Sequence, residues 1–353
     1  MAQRGGEFEG TSASGGSRPR GRRKPTASAL PPDQELEVVQ VGDVPDDDED
    51  QIPLPGILDS PLRGSVKNER SVMVYNFFAL TKEKRTEPIR YHDGNVMIEV
   101  KGTDAGIATI YDKEILIYAI SLLVDRINAG ERASRWVQFT WHDFCRVTRI
   151  FASNTSYERI SGALERLQGT QVKTNIETGG QGSDEWFSWL EAAKAEYSRN
   201  PATGERRLKH VRVKLCDWLY RAVLKDRRFL TYDPVYFDLP VMEKRLYELA
   251  RAHVGNQPGF KIGLQKLRVR VGSDMDDRNF KVQLKKIANK KKPLPEYAFK
   301  IIDTMPGPDG TPKRLPLARN MVVFWRLDRW REYAPDSFLE ADEAVAADQA
   351  QAE

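Results

Sequence analysis

Apolar residues recur three and four positions apart over residues 157–167, so that Tyr157, Ile160, Leu164 and Leu167 share one helical face. Ser156, Arg159, Ser161 and Arg166 then fall on an outward face that is polar and basic. Upstream, Ile115, Tyr118, Ala119, Leu122 and Leu123 mark the buried stripe of an earlier helix, which Asp112 can cap and which ends near Gly130. Trp136, Val137 and Phe139 predict a short strand after it. Trp141 to Thr148 predicts a second helix, with Phe144 and Val147 inward. A polar turn, Ala152-Ser153-Asn154-Thr155, precedes the basic helix, and Thr155 with Glu158 matches a capping box, a place where free backbone amides can also meet a phosphate. Gln171 to Ile176 follows as a strand. Helix, strand, helix, turn, basic helix, strand is the order of a winged helix-turn-helix, whose helix after the turn enters the major groove of duplex DNA.

Patterns on either side extend this unit. Ile89-Arg90-Tyr91 and Val96 to Val100 flank His92-Asp93-Gly94-Asn95, and an Asp-Gly pair between apolar runs predicts a hairpin. Residues 179–207 begin Gly-Gly-Gln-Gly, pass through Trp186, Phe187 and Trp189, and continue as a polar stretch. They are expected to form a wing extension and a connection between domains. Their aromatic cluster has two open placements, over the sheet or against a neighbour. Val211, Val213 and Leu215 alternate as a strand, and a helix is expected from Asp217 to Lys225.

A second unit starts near Leu239-Pro240. Met242, Leu246, Leu249, Ala250 and Val254 predict one helix, and Ile262, Leu264 and Leu267 a shorter one before the turn at residues 271–274. A third helix, from about Met275 to Asn289, buries Phe280, Leu284 and Ile287 and exposes Arg278, Asn279, Lys281, Lys285 and Lys286. Tyr297 to Ile302 and Met321 to Leu327 read as strands joined by a Pro- and Gly-rich loop that carries Lys313 and Arg314. The order of the first half recurs without its sequence. The expected fold class is therefore α+β, two tandem winged-helix (helix-turn-helix) domains between disordered N- and C-terminal tails. The expected segments are a tail at 1–65, a first domain with its wing extension at 66–210, a second domain at 211–332 and an acidic tail at 333–353.

Charge is segregated along the chain. The overall formal charge is +4, but residues 1–60 carry 6 basic and 12 acidic side chains and residues 335–353 carry 6 acidic and no basic ones, leaving the body at about +16. A body of that sign suits a polyanion, and the acidic runs suit solvated tails. Two cysteines, Cys145 and Cys216, are too few for a disulfide framework or a four-ligand zinc site. Both are expected to be buried in a reducing compartment. The first residues lack the apolar core of a signal peptide, and no stretch suggests a membrane span, so a soluble cytoplasmic protein is expected.

Position gives the two basic helix faces their meaning. A charged face alone usually serves solubility, whereas both of these follow a polar turn and precede a strand. Arg159, Arg278 and Asn279 are candidates for base edges, because Arg can pair bidentately with guanine and Asn with adenine. Lys281, Lys285 and Lys286, with the wing residues Lys173, Lys313 and Arg314, are candidates for phosphates. Asn154, Ser156 and Arg166 complete the expected DNA-binding set. Two such modules in tandem would span successive major grooves, roughly 10 bp apart. Catalysis has little support. No phosphate-binding loop of the Gly-x-x-x-x-Gly-Lys-Ser/Thr type occurs, and the four histidines, His92, His142, His210 and His253, are not spaced as ligands. A nicking tyrosine would need metal-binding histidines beside it, so neither an enzyme nor a cofactor or metal is expected.

The run from Ser156 to Thr174, SYERISGALERLQGTQVKT, resembles the replication initiator protein A family of proteobacterial plasmids, as do Phe237-Asp238-Leu239-Pro240 and Leu294-Pro295-Glu296-Tyr297. The resemblance covers about residues 66–330. It implies an origin-binding protein with winged-helix domains that recognises short direct repeats (iterons), opens adjacent AT-rich DNA and helps load the host helicase. It further implies contacts with a host initiator, and homodimers that repress their own promoter. The alternative reading is an ordinary winged-helix transcriptional repressor.

Overall fold

The computed structural model describes residues 61–329 except 152, 154, 181–183, 256, 258 and 307–310, so nearly all of both expected tails lies outside the described residues. Strand β1 (Lys67–Glu69) runs into the short helix α1 (Arg70–Val74), which Glu69 caps by accepting a hydrogen bond from the Val72 amide at 3.1 Å. The predicted hairpin is present as β2 (Ile89–Asp93) and β3 (Val96–Lys101), and it turns at Gly94, whose φ of +62° suits a residue without Cβ. Helix α2 (Lys113–Asn128) begins after Asp112, whose side chain makes no capping bond. That carboxylate instead accepts from the Thr109 amide and from Arg166. Strand β4 (Trp136–Thr140) and helix α3 (Trp141–Thr148) follow as expected, with the Thr140 hydroxyl capping α3.

Helix α4 (Ser156–Gly169) starts without the predicted capping box. Thr155 makes no side-chain capping bond, and the Ser156 hydroxyl turns back to accept from the Ser153 amide at 2.9 Å. Next come β5 (Gln171–Thr174), β6 (Glu185–Ser188), β7 (Leu190–Arg199) and β8 (Arg206–Leu215). The expected helix after Asp217 is α5 (Asp217–Arg221), continued by a wider turn over Ala222–Asp226 and strand β9 (Phe229–Thr231). The second half holds α6 (Val241–Val254), β10 (Phe260–Gly263), α7 (Leu264–Val271), α8 (Asp277–Ala288) and β11 (Tyr297–Ile302). The hairpin strands β12 (Thr304–Pro306) and β13 (Pro312–Arg314) precede β14 (Met321–Arg326).

Sheet topology corrects two expectations. Strand β5 does not stand out as a wing: it lies between β3 and β6 in the sheet β2-β3-β5-β6, with Val172 opposite Val100 and Thr174 opposite Ile98. Its alternate residues Val172 and Thr174 are buried, so it completes the layer that the β2–β3 hairpin begins. The long hairpin after α4 is β7–β8, which lies beside β4 in the order β4-β8-β7. The division expected between residues 210 and 211 consequently falls inside β8, where Val211 pairs with both Phe139 and Ala195. In the second half the order is β10-β14-β11. Each three-stranded sheet thus places the strand before its second helix at one edge and the last strand in the centre.

The open question about the aromatic cluster has a divided answer. Trp189 is fully buried and stacks on Phe78 at 5.0 Å, while Phe187 stacks on Trp218 at 5.0 Å. Trp186, on the other face of β6, is 66 % exposed. Both cysteines are buried thiols, as expected.

One hydrophobic core runs through both halves, and a buried polar network crosses between them. Lys113 of α2 pairs with Glu248 of α6 at 2.7 Å, and Lys244 of α6 pairs with Glu114 of α2 at 2.6 Å. Tyr232 and Tyr236 also donate to Glu248, and Arg245 reaches the carbonyls of Met73 and Val74. Burial opposes ionisation of Glu248. The charges of Lys113 and Arg245 and these hydrogen bonds outweigh it and hold the carboxyl below its usual range.

Candidate nucleic-acid interface

Helix α4 keeps only part of its expected outward face. Ile160, Leu164 and Leu167 are buried as the spacing requires, and Arg159 is exposed with no carboxylate at ion-pair distance among the described residues. Ser156, expected to face outward, is buried because its hydroxyl closes the turn before the helix. Arg166, expected to be available, is held by Asp112 through two bonds of 2.7 Å each. A bidentate pair of that kind is among the stronger charge-assisted contacts, so this guanidinium is committed to joining α4 to the start of α2. Asn154 lies outside the described residues. Phe151, in the turn before α4, is 91 % exposed.

Lys173 lies in a sheet and not in a wing. It stands on β5, its ammonium 4.7 Å from the centroid of the exposed Trp186 ring, in a row that runs Arg90, Glu99, Lys173, Trp186 across four strands. The hairpin at the edge of the first three-stranded sheet carries other cations. Arg199, Arg206, Arg207 and Lys209 are exposed on β7 and β8. Arg206 lies 4.9 Å from the ring centroids of both Tyr157 on α4 and Tyr197 on β7, so cation–π contacts fasten the hairpin to the helix. Sequence reasoning passed over these residues. Their signal was there: two alternating runs around Asn200-Pro201-Ala202-Thr203-Gly204, with Gly204 at φ +73°.

Helix α8 begins at Asp276, whose side chain accepts from the Arg278 and Asn279 amides at 2.9 Å each. The Asn279 amide group also donates to Asp276, so reading a base would require that bond to be exchanged. Lys281 and Lys285 converge on Asp303, at 2.9 and 2.6 Å. Burial disfavours the charged form of Asp303, but bonds from the two lysines outweigh it and keep the carboxyl below its usual range. Lys281 is therefore partly covered and neutralised, whereas the Lys285 chain remains half-exposed. Arg278, Lys286, Lys313 and Arg314 are exposed with no carboxylate at ion-pair distance among the described residues. The last two sit on β13, Lys313 opposite Met305 and Arg314 opposite Thr304.

The structure thus brings one set of cations to α4 and the β7–β8 hairpin, and another to α8 and the β12–β13 hairpin. Among the described residues no group of His, Cys, Asp or Glu could hold a metal ion, and no helix is long and apolar enough to cross a membrane.

A protein of Wigglesworthia glossinidia brevipalpis, provisionally named a replication protein, is 36 % identical over 244 residues, covering 68 % of this chain and 86 % of its own. Among solved structures, domains 2 and 3 of RctB align with a TM-score of 0.50 at 14 % identity, over 70 % of this chain and 94 % of that one. The Pi initiator protein in complex with iteron DNA aligns with a TM-score of 0.40 at 14 % identity, over 69 % and 98 %. Residues 67–299 match the family described as Replication initiator protein A, which covers well over half of the chain, and the chain belongs to that family.

Proposed function

We propose that this protein is a plasmid replication initiator that binds direct repeats at an origin through two winged-helix domains. The observation that carries the reading is the repeated topology: a helix, an edge strand, two helices and two further strands occur as α2, β4, α3, α4, β7, β8 and again as α6, β10, α7, α8, β11, β14, with the last strand central in each three-stranded sheet, while β5 and β6 in the first copy join the separate sheet of β2 and β3. In both copies exposed cations occupy the third helix and the hairpin, the two parts of this motif that meet DNA. Arg159 and Arg278 are the base-reading residues, and Lys286, Lys313, Arg314, Arg207 and Lys209 hold phosphates. Opening of AT-rich DNA, helicase loading, contact with a host initiator and promoter repression by a homodimer rest on family resemblance. The protein acts in the bacterial cytoplasm and by binding, without catalysis of its own.

Footprinting on the DNA that flanks the gene tests the reading. Protection of several direct repeats beside an AT-rich stretch is the expected result. Protection of one inverted repeat over a promoter, with no repeats bound, would replace the initiator by a repressor.

A further inference from the structure

A cavity of about 310 Å³ opens where α2, α3 and α4 meet. Its buried lining is largely apolar, with Ile115, Trp141, Phe144 and Ile160 beside the polar Thr109 and Asp112, and the Trp141 and Phe144 rings are stacked at 5.1 Å. Its exposed lining is cationic: Arg159, and Lys82, whose ammonium lies 5.5 Å from the centroid of the Tyr111 ring. The one carboxylate in the lining, Asp112, is already occupied by Arg166 and Thr109. Two positive charges thus face a half-apolar space, neither with a carboxylate at ion-pair distance among the described residues, and a volume of about 300 Å³ is at the lower end of small-molecule sites.

We infer that this cavity binds a small flat amphiphilic anion, an aromatic body carrying one phosphate or carboxylate. The aromatic body lies against Trp141 and Phe144, and the anionic group is held by Arg159 and Lys82. Charge selects the head group and the stacked rings select a flat tail; neither part is sufficient by itself. The consequence rests on the function proposed above. Arg159 is the base-reading candidate of α4, so a molecule that engages its guanidinium removes it from DNA, and occupancy of the cavity and DNA binding by the first unit exclude each other. Linkage then requires that DNA weaken the anion by the same factor as the anion weakens DNA.

The test titrates the full chain with 1-naphthyl phosphate, read by calorimetry and by tryptophan fluorescence, with inorganic phosphate and 1-naphthol as single-feature controls. Saturable binding of one molecule is expected, at least about tenfold tighter than either control and weakened about tenfold or more by Arg159→Ala or Lys82→Ala, each tenfold corresponding to about 1.4 kcal/mol. Ala163→Met adds bulk to the lining, and it should abolish binding while the thermal midpoint stays within a few degrees. Trp141→Phe should remove most of the fluorescence change. Absence of saturable binding, or binding indifferent to both Arg159→Ala and Ala163→Met, overturns the site. A separate arm measures origin-DNA binding with and without the anion. Competition in the wild type and its loss in Lys82→Ala supports the exclusion, and simultaneous binding of both overturns it. If no origin DNA is bound at all, the functional reading fails while the titration still decides the cavity.

Discussion

The two halves share a topology but spend their charges differently. In the first, α4 gives Arg166 to an internal pair with Asp112 and keeps Arg159 beside a cavity, and its long hairpin is fastened to the helix by Arg206 between two tyrosines. In the second, the hairpin strands are only three residues each, and α8 carries many cations, two of them tethered to Asp303. The first half is built for shape and the second for charge. A basic residue on a helix face is therefore no guide to DNA contact until its carboxylate partners are known.

The comparison presupposes that the halves act as one body, and the largest expected effect comes from breaking their junction. Glu248→Ala leaves Lys113 and Arg245 buried without their partner and should cost about 3–5 kcal/mol in urea unfolding, with both halves melting together. If only one half melts, the shared core is not cooperative. The sign of the pH dependence follows from the depressed pKa of Glu248. Its contribution is present above the unfolded carboxylate value and is lost as pH falls through the lower folded value, so the wild type should lose stability in acid more steeply than Glu248→Gln.

Next in size, Arg278→Ala and Arg159→Ala should each cost about 1–3 kcal/mol on the cognate repeat and relax preference at one base. Equal losses on random duplex would reduce either arginine to a phosphate contact and remove the distinction between the halves. A smaller change is expected from Asp303→Asn. It frees Lys281 and Lys285, so binding to any duplex should strengthen and the salt dependence should steepen by about one to two charges. An unchanged slope would show that these lysines face away from DNA. The smallest effect separates two neighbours on α8: Lys286→Ala should lower the salt slope by about one, and Lys285→Ala by less, because Asp303 already balances part of its charge. Equal slopes would mean the tether opens on DNA.

Much of this molecule was legible along the chain, because helix and strand spacing are local properties. The periodic stripe of Phe280, Leu284 and Ile287 is the buried face of α8, the strand Tyr297–Ile302 has its predicted bounds, and the hairpin turns at Gly94. The basic faces of α4 and α8 were visible for the same reason. Pairing between distant segments was not visible. Whether Gln171–Thr174 joins β3 or a wing depends on which edge is free in three dimensions, and a four-residue strand fits either. The same holds for the commitment of Arg166 to Asp112, 54 residues away, and of two α8 lysines to Asp303. Sequence determined the elements, their order and the sign of their surfaces, since these follow from side-chain periodicity and charge. Only the tertiary structure decided which strands pair, which cations are neutralised and where a cavity remains, because each depends on contacts between residues that the chain itself keeps far apart.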